Sequence, residues 1–225
     1  MTDARTQILL EKSAGFGIPL DPAAAAALVS YIEALLRKNE EVNLTSVRDV
    51  DEAILRHVVD SLAFGLHVRS EPTPPSRILD FGTGGGFPGV PIAVAMPAAE
   101  VVLLDGTRKK LDAVGALCAD EGIKNVSCTW ARSEDLVRNR DRKLLGNCDA
   151  VVARAVGPLA ELLERGGPFV KHRGVLVCWK SPTLGDDERV AGLAVARRAG
   201  FAPLADLAYT SDRPSLLVRY RRARG

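Results

Sequence analysis

Asp80-Phe81-Gly82-Thr83-Gly84-Gly85-Gly86-Phe87-Pro88-Gly89 follows directly on the apolar run Arg77-Ile78-Leu79 and leads into a predicted helix over Pro88–Met96. Five glycines in eight positions let the chain take positive φ and bring backbone amides to a ligand with no Cβ in the way. The helix that follows presents unpaired N–H groups at the same place. Two fingerprints fit the loop. Gly84, Gly86 and Gly89 match the G-x-G-x-x-G turn that cradles a dinucleotide pyrophosphate. Asp80, Gly82, Gly84 and Gly86 match D-x-G-x-G-x-G, in which the strand-end carboxylate faces the methionine ammonium of S-adenosylmethionine. A carboxylate at that place repels a pyrophosphate, which favours the cationic ligand. Asp105, at the end of the next apolar run, stands where an acid receives ribose hydroxyls, and both ligands use one there. Ser133-Glu134, after the third run, stands at the next crevice position, suited to an adenine edge.

Outward from the loop, short apolar runs alternate with helical segments. Strands are predicted at 77–81, 101–104, 126–130, 150–153 and 175–179, with helices around 108–118, 159–165 and 188–198. Gly122, Gly166 and Gly200 stand where C-terminal caps belong. Such alternation means a doubly wound, mostly parallel sheet. Pro203–Tyr209 and Ser215–Tyr220 are joined by only Thr210–Pro214, too short for a parallel crossover, so this pair is antiparallel. A sheet closed in this way resembles that of class I methyltransferases. The expected fold is α/β and Rossmann-like, with seven strands, one of them antiparallel.

Upstream, Asp21-Pro22 is a helix start, and Ala24, Leu28, Tyr31, Ile32, Leu35 and Leu36 follow at helical spacing. A second helix is predicted from about Asp51, burying Ile54, Leu55, Val58, Val59 and Leu62. Glu71-Pro72-Thr73-Pro74-Pro75-Ser76 breaks it. The expected organisation is a helical extension over 1–70 packed on a cofactor-binding domain over 76–225.

The 225 residues are 47% hydrophobic and 26% charged, which suits a globular protein without a membrane span. Met1-Thr2-Asp3-Ala4-Arg5 does not begin a secretory leader, so a cytoplasmic location is expected. Cys118, Cys128, Cys148 and Cys178 form no C-x-x-C pair and are read as buried thiols. His57, His67 and His172 form no metal array, so no metal is expected. The net charge of +2 is unevenly spread: residues 1–75 hold 7 Lys/Arg against 11 Asp/Glu, and the chain ends in a basic run, Arg219–Arg224. That asymmetry permits a nucleic-acid partner.

Taken together these residues resemble the bacterial small-subunit ribosomal RNA guanine-N7 methyltransferases, the RsmG or GidB family, over nearly the whole chain. The resemblance is carried by Asn43-Leu44-Thr45-Ser46, Arg56-His57-Val58-Val59-Asp60-Ser61-Leu62, Gly82–Gly89, Leu104-Asp105 with Lys109-Lys110, and Ala153-Arg154-Ala155. The sequence departs from the family at Trp179-Lys180-Ser181-Pro182, where a glycine is expected after the lysine. The resemblance implies S-adenosylmethionine contacts at Gly82, Phe87, Ser133, Glu134 and Arg154. It also implies a target at guanine 527, in the 530 loop of 16S rRNA, met as naked RNA, as the small subunit or as an assembly intermediate.

Methylating guanine N7, an acceptor with no proton to lose, needs no general base. The sequence carries no [DNS]-P-P-[YFW] motif and no Pro-Cys nucleophile. Catalysis is expected to come from positioning, which supplies roughly 7–11 kcal/mol in favourable cases. Arg154 is expected to orient cofactor or guanine, the bland alternative being an ion pair with Glu161 or Glu164. Arg56 and Asp60, and likewise His57 and Ser61, are four apart and expected on one helix face, with Arg56 and His57 walling the active site. RNA contacts are expected from Lys109, Lys110, Lys171, Arg173, Lys180 and the C-terminal arginines, in a monomer. The competing readings are an NAD(P)-dependent oxidoreductase and a non-catalytic ribosome-assembly factor.

Overall fold

The computed structural model describes residues 3–223; Met1 and Thr2 at one end, and Arg224 and Gly225 at the other, lie outside them. Helix α1 (Ala4–Phe16) starts at Asp3, whose carboxylate accepts from the amides of Arg5 and Thr6, and stops at Gly17. Its inward positions include Thr6 and Ser13 beside Leu9 and Phe16, so no apolar stripe marks it in the sequence. Helix α2 (Pro22–Lys38) begins as Asp21-Pro22 predicts, with the Asp21 side chain 2.7 Å from the Ala24 amide.

The second predicted helix is a composite. Asp49 caps α3 (Val50–Ala53), a π-helical turn covers Ile54–Val59, and α4 (Asp60–Leu62) and α5 (Phe64–Arg69) complete the rod. The wider turn moves side chains off the expected α-helical register. Arg56 and Asp60 therefore do not pair. Arg56 reaches back to Glu52, and Asp60 turns to other elements. Ser61 donates to the His57 carbonyl instead of facing its ring.

The strand–helix alternation then runs β1 (Arg77–Phe81), α6 (Gly89–Ala95), β2 (Glu100–Asp105), α7 (Arg108–Asp120), β3 (Val126–Trp130), α8 (Ser133–Arg138) and β4 (Cys148–Arg154). It continues with α9 (Leu159–Arg165), β5 (Val170–Lys180), α10 (Asp186–Arg198), β6 (Phe201–Pro203), β7 (Leu207–Thr210) and β8 (Pro214–Arg222). The sheet order is β3-β2-β1-β4-β5-β8-β6, with β7 also paired to β8. β1–β5 are mutually parallel, and β8 is the antiparallel strand.

There are eight strands rather than seven, because the predicted strand Pro203–Tyr209 is split. At the break, the Arg219 guanidinium on β8 donates to the Ala205 carbonyl at 2.8 and 3.1 Å; the Leu204 amide still donates to the Arg219 carbonyl, and Ala205 and Asp206 lie outside the paired register. Gly122 and Gly200 follow their helices in the left-handed conformation, whereas Gly166 has φ −91° and owes its place to close packing on the Leu162 carbonyl. Cys118, Cys148 and Cys178 are buried, but Cys128 is exposed because β3 is the sheet edge.

One face of the sheet shares a continuous core with the N-terminal helices, in which Tyr31, Leu35 and Phe64 meet Phe87, Val114 and Trp179. The opposite face packs Leu79, Phe81 and Leu176 against Leu163, Phe169 and Val195. Register aligns Asp105 with Trp130 and Arg154 with Trp179, which brings these strand ends to one edge of the sheet beside the glycine loop. No helix among the described residues is long and apolar enough to cross a membrane, and no metal-holding cluster of His, Cys, Asp or Glu occurs among them.

Candidate active site

The glycine loop is built largely by its own hydrogen bonds. The amides of Gly82 and Thr83 donate to the Leu104 carbonyl, and those of Gly86 and Phe87 to the Thr83 carbonyl. Gly84 N donates to Asp105 Oδ2 at 2.9 Å, and Gly89 N to Asp80 Oδ2 at 2.8 Å. Amides spent in this way are not free to cradle a pyrophosphate. Gly89 has no alternative at its position, since a Cβ there would lie 2.6 Å from Asp80 Oδ2. Gly84 differs: its φ is +55° and a Cβ would meet nothing within 4 Å, so the space it leaves open belongs to the cavity it lines.

Asp80 lies beneath the loop rather than on the cavity wall. It is fully buried, with Oδ2 taking Thr83 Oγ1 as well as Gly89 N, while Oδ1 has no hydrogen-bond partner. Burial pushes its carboxyl up to about 6, against the pull of those two donors. Asp105 accepts from Gly84 N through one oxygen and from Thr107 N at 2.8 Å through the other. Both carboxylates thus brace the loop.

The cavity in front of the loop has a volume of about 570 Å³. Gly82, Gly84, Phe87 and Asp105 line it together with Arg56, His57, Lys110, Arg154 and Arg213. Beyond Gly82 and Asp105 lies a smaller annex of about 90 Å³ bordered by Ser133 and Arg165. Ser133 is buried at the start of α8, and Glu134 pairs at 2.8 Å with Arg165, which borders the annex. Gly86 is directed toward α2, where its Cβ would collide with Tyr31 Oη at 2.5 Å.

Arg154, at the end of β4, ties the N-terminal helical rod to the loop side of the cavity. Its Nη1 donates to Asp60 Oδ2 at 2.8 Å and to the Arg56 carbonyl at 3.0 Å; its guanidinium carbon lies 5.5 Å from the Phe87 ring centre. Glu161 and Glu164 pair with Arg165 and Arg198, so the surface ion pair weighed for Arg154 does not form. Ala155, the next residue, has φ +56°, a conformation that costs a residue with a Cβ ~1–2 kcal/mol. That strain stands beside the cavity.

His57 stacks on Phe87 with ring centres 4.6 Å apart, and its Nε2 meets Thr45 Oγ1 at 2.7 Å. Burial, reinforced by the Arg154 charge, pushes its pKa down to about 4. The ring is therefore neutral at pH 7. Arg56 is more open and joins Asp212, in the β7–β8 turn, at 3.0 Å.

Asp60, Thr45 and Lys180 stand in stretches the sequence singles out, but their partners, Tyr209, Ser211 and Glu188 among them, carried no signal for the site. Asp60 receives Tyr209 Oη at 2.6 Å and Ser211 Oγ at 3.3 Å on Oδ1, and its carbonyl takes Trp179 Nε1 at 2.9 Å. Thr45 reaches His57 from a loop whose Leu44 and Thr45 amides are held by Asn39 Oδ1. The departure at Ser181 leaves its lysine engaged: Lys180 Nζ bonds the Gly157 carbonyl and Glu188, both at 2.7 Å.

Comparison with solved structures places the fold among class I methyltransferases. An O-methyltransferase from Bacillus cereus, solved in complex with SAH, matches with a TM-score of 0.58 at 16% identity, covering 86% of this chain and 91% of that one. M. jannaschii TYW2, solved in complex with AdoMet, matches with a TM-score of 0.51 at 17% identity over 65% and 68% of the two chains. In sequence, the ribosomal RNA small subunit methyltransferase G of Sorangium cellulosum is 38% identical over 192 residues, 85% of this chain and 79% of that protein. The protein of the same name from Chlorobium luteolum is 39% identical over 179 residues, 79% and 71% of the two chains. The model of the GidB family, described as rRNA small subunit methyltransferase G, matches residues 24–194. This chain belongs to that family of ribosomal RNA small-subunit methyltransferases.

Proposed function

We propose that the protein methylates N7 of a guanine, guanine 527 of the 530 loop, in 16S rRNA, with S-adenosylmethionine as donor, acting as a cytoplasmic monomer on the RNA or its ribosomal particle. The observation that supports this best is one cavity lined both by the glycine loop with Asp105 and by four cationic side chains, Arg56, Lys110, Arg154 and Arg213. Nucleoside recognition and phosphate-bearing RNA are thereby served in one cavity.

The residues present fit the proposed donor. Gly84 leaves open space where a Cβ would stand, and Asp105 offers a carboxylate at the cavity wall. Asp80, buried beneath the loop with Oδ1 unpartnered, adds acidic character behind the glycines without reaching the cavity wall, which favours a cationic ligand over a pyrophosphate. Gly82, Gly84, Phe87 and Asp105 would hold S-adenosylmethionine, with Ser133 at the annex; when bound it supplies an electrophilic methyl group.

The chain's own contribution is placement. Arg154, fixed by Asp60 and the Arg56 carbonyl, presents a rigid donor fork that suits guanine O6. Phe87 and His57 give a stacked apolar floor. His57 is neutral, and both Asp60 oxygens are already engaged, so the wall is built to hold a base rather than to take a proton from it.

The test is transfer of labelled methyl groups to small-subunit RNA and to 30S particles from a strain lacking the family enzyme, with the modified base mapped. Labelled 7-methylguanine at the 530 loop is the expected product. Binding of NAD(P) but not S-adenosylmethionine would favour the oxidoreductase reading, and RNA binding with no methyl transfer the assembly factor.

A further inference from the structure

Trp130 is 59% exposed, the most unusual position in the molecule for an aromatic that the site described above does not use. It ends edge strand β3 and pairs in register with Asp105, which lines the cavity. Its ring is not loose. Nε1 donates to the Gly106 carbonyl at 3.1 Å, and the Arg108 guanidinium carbon lies 5.3 Å from the ring centre. The second tryptophan, Trp179, is buried and only 6% exposed.

The surroundings are basic. Arg108 and Lys109 at the start of α7 and Arg132 after β3 are exposed, and Lys110 lines the cavity. The acidic groups nearby are Asp105, spent on the Gly84 and Thr107 amides, Asp112, an exposed partner of Arg108 at 3.6 Å, and Glu134, which feels the Arg132 charge but pairs with Arg165 at 2.8 Å. A fixed, open indole flanked by cations is the arrangement on which unpaired nucleobases stack while the cations meet phosphates. A hydrophobic ring left on an edge strand for no partner is otherwise a liability.

We infer that Trp130, with Arg108 and Arg132, forms a stacking platform for a single-stranded nucleotide of the RNA substrate, at the rim of the cavity and outside the pocket that takes the reacting base. This rests on RNA being the substrate of the adjoining site. The platform, at the end of β3, would hold the strand beside Asp105, whereas Arg154 stands at the end of β4. It is sequence-tolerant, since every base has a π face.

The experiment compares wild type, Trp130→Ala and Trp130→Phe in methyl transfer to small-subunit RNA, with S-adenosylmethionine binding measured separately. Stacking of one base is worth about 1–3 kcal/mol, roughly a 5- to 150-fold change. W130A is expected to raise the KM for RNA about tenfold, leave kcat and the affinity for S-adenosylmethionine unchanged, and be largely rescued by W130F. An unchanged KM for RNA overturns the proposal. So does a loss confined to S-adenosylmethionine affinity, which would make the ring part of the cofactor cleft. Conversion of a dimer to a monomer with RNA affinity kept would overturn it too, as a self-association contact.

A second readout is independent of the methylation reaction. Oligoadenylate is expected to quench the emission of wild type but not that of W130F, whose remaining indole, Trp179, is buried. If the wild type methylates no RNA, the reading of the main site fails while this titration still decides the platform; equal quenching in both proteins rejects it.

Discussion

Arg154 and Asp60 form an ion pair of 2.8 Å in which the side chains are only 13% and 14% exposed, tying the end of β4 to the N-terminal helical rod. Asp60 is in turn held by Tyr209 from β7 and Ser211 beyond it. The pair therefore joins three parts of the chain directly beside the cavity. Removing one partner leaves a poorly solvated charge, which costs ~3–5 kcal/mol in a fully buried pair and about 2–3 kcal/mol where some water reaches it. Arg154→Ala is expected to lose that much stability in urea titration and at least a hundredfold in kcat. Asp60→Asn, which keeps the shape but not the charge, should lose less of both. Arg154→Ala with activity within twofold of wild type would dismiss Arg154 from the site.

The buried histidines predict a direction for the pH dependence of stability. His57 and His67 are both held at about 4, in each case chiefly by burial, with Arg154 adding to the effect on His57 and Glu71 opposing it on His67. The unfolded chain binds the same protons near pH ~6.5. Stability is therefore fully present above that value and is lost as the pH falls toward 4. The urea midpoint should drop between pH 7.5 and pH 5, and drop less in His67→Gln. Turnover should show no ionisation of His57 across neutral pH. A steep fall in kcat near pH 6.5 that His57→Gln abolishes would show that the ring exchanges protons during catalysis.

What the sequence made legible was what local chemistry writes: the glycine loop, the Asp21-Pro22 helix start and the strand–helix alternation. Helix α1 was hidden because Thr6 and Ser13 face inward and hydrogen-bond locally, at Asp3 and the Leu10 carbonyl. The π-helical turn was hidden because Ile54, Val58 and Leu62 look equally periodic with or without it, although it decides where Arg56 and Asp60 point. The Asp60 contacts with Trp179 and Tyr209 span 119 and 149 residues of sequence, and no short-range pattern encodes them. The break between β6 and β7 depends on Arg219, a residue of the neighbouring strand.

Gly84 separates the loop's conformation from its role in binding. Its left-handed φ of +55° would cost alanine ~1–2 kcal/mol, with no steric clash against the protein. Gly84→Ala is therefore expected to fold with a modest drop in stability. The added methyl group, however, would stand in the cavity, and S-adenosylmethionine affinity should fall at least tenfold by calorimetry. Unchanged affinity would mean that the donor does not approach this part of the loop.

Tyr31 tests whether the N-terminal helices help to shape the site. From α2 its hydroxyl donates to the Gly85 carbonyl at 3.0 Å, and its ring stands edge-on to Phe87 with centres 6.1 Å apart. Both groups of that hydrogen bond are buried, so Tyr31→Phe leaves the carbonyl without its donor while keeping the ring contact. Such an orphan costs about 1–3 kcal/mol. If the helix merely covers the sheet, the loss appears in stability alone. If it braces the loop, as the position of Gly85 between Gly84 and Gly86 argues, the KM for S-adenosylmethionine rises severalfold while the KM for RNA stays constant. A kinetic profile identical to wild type, with only the stability lowered, would confine Tyr31 to packing.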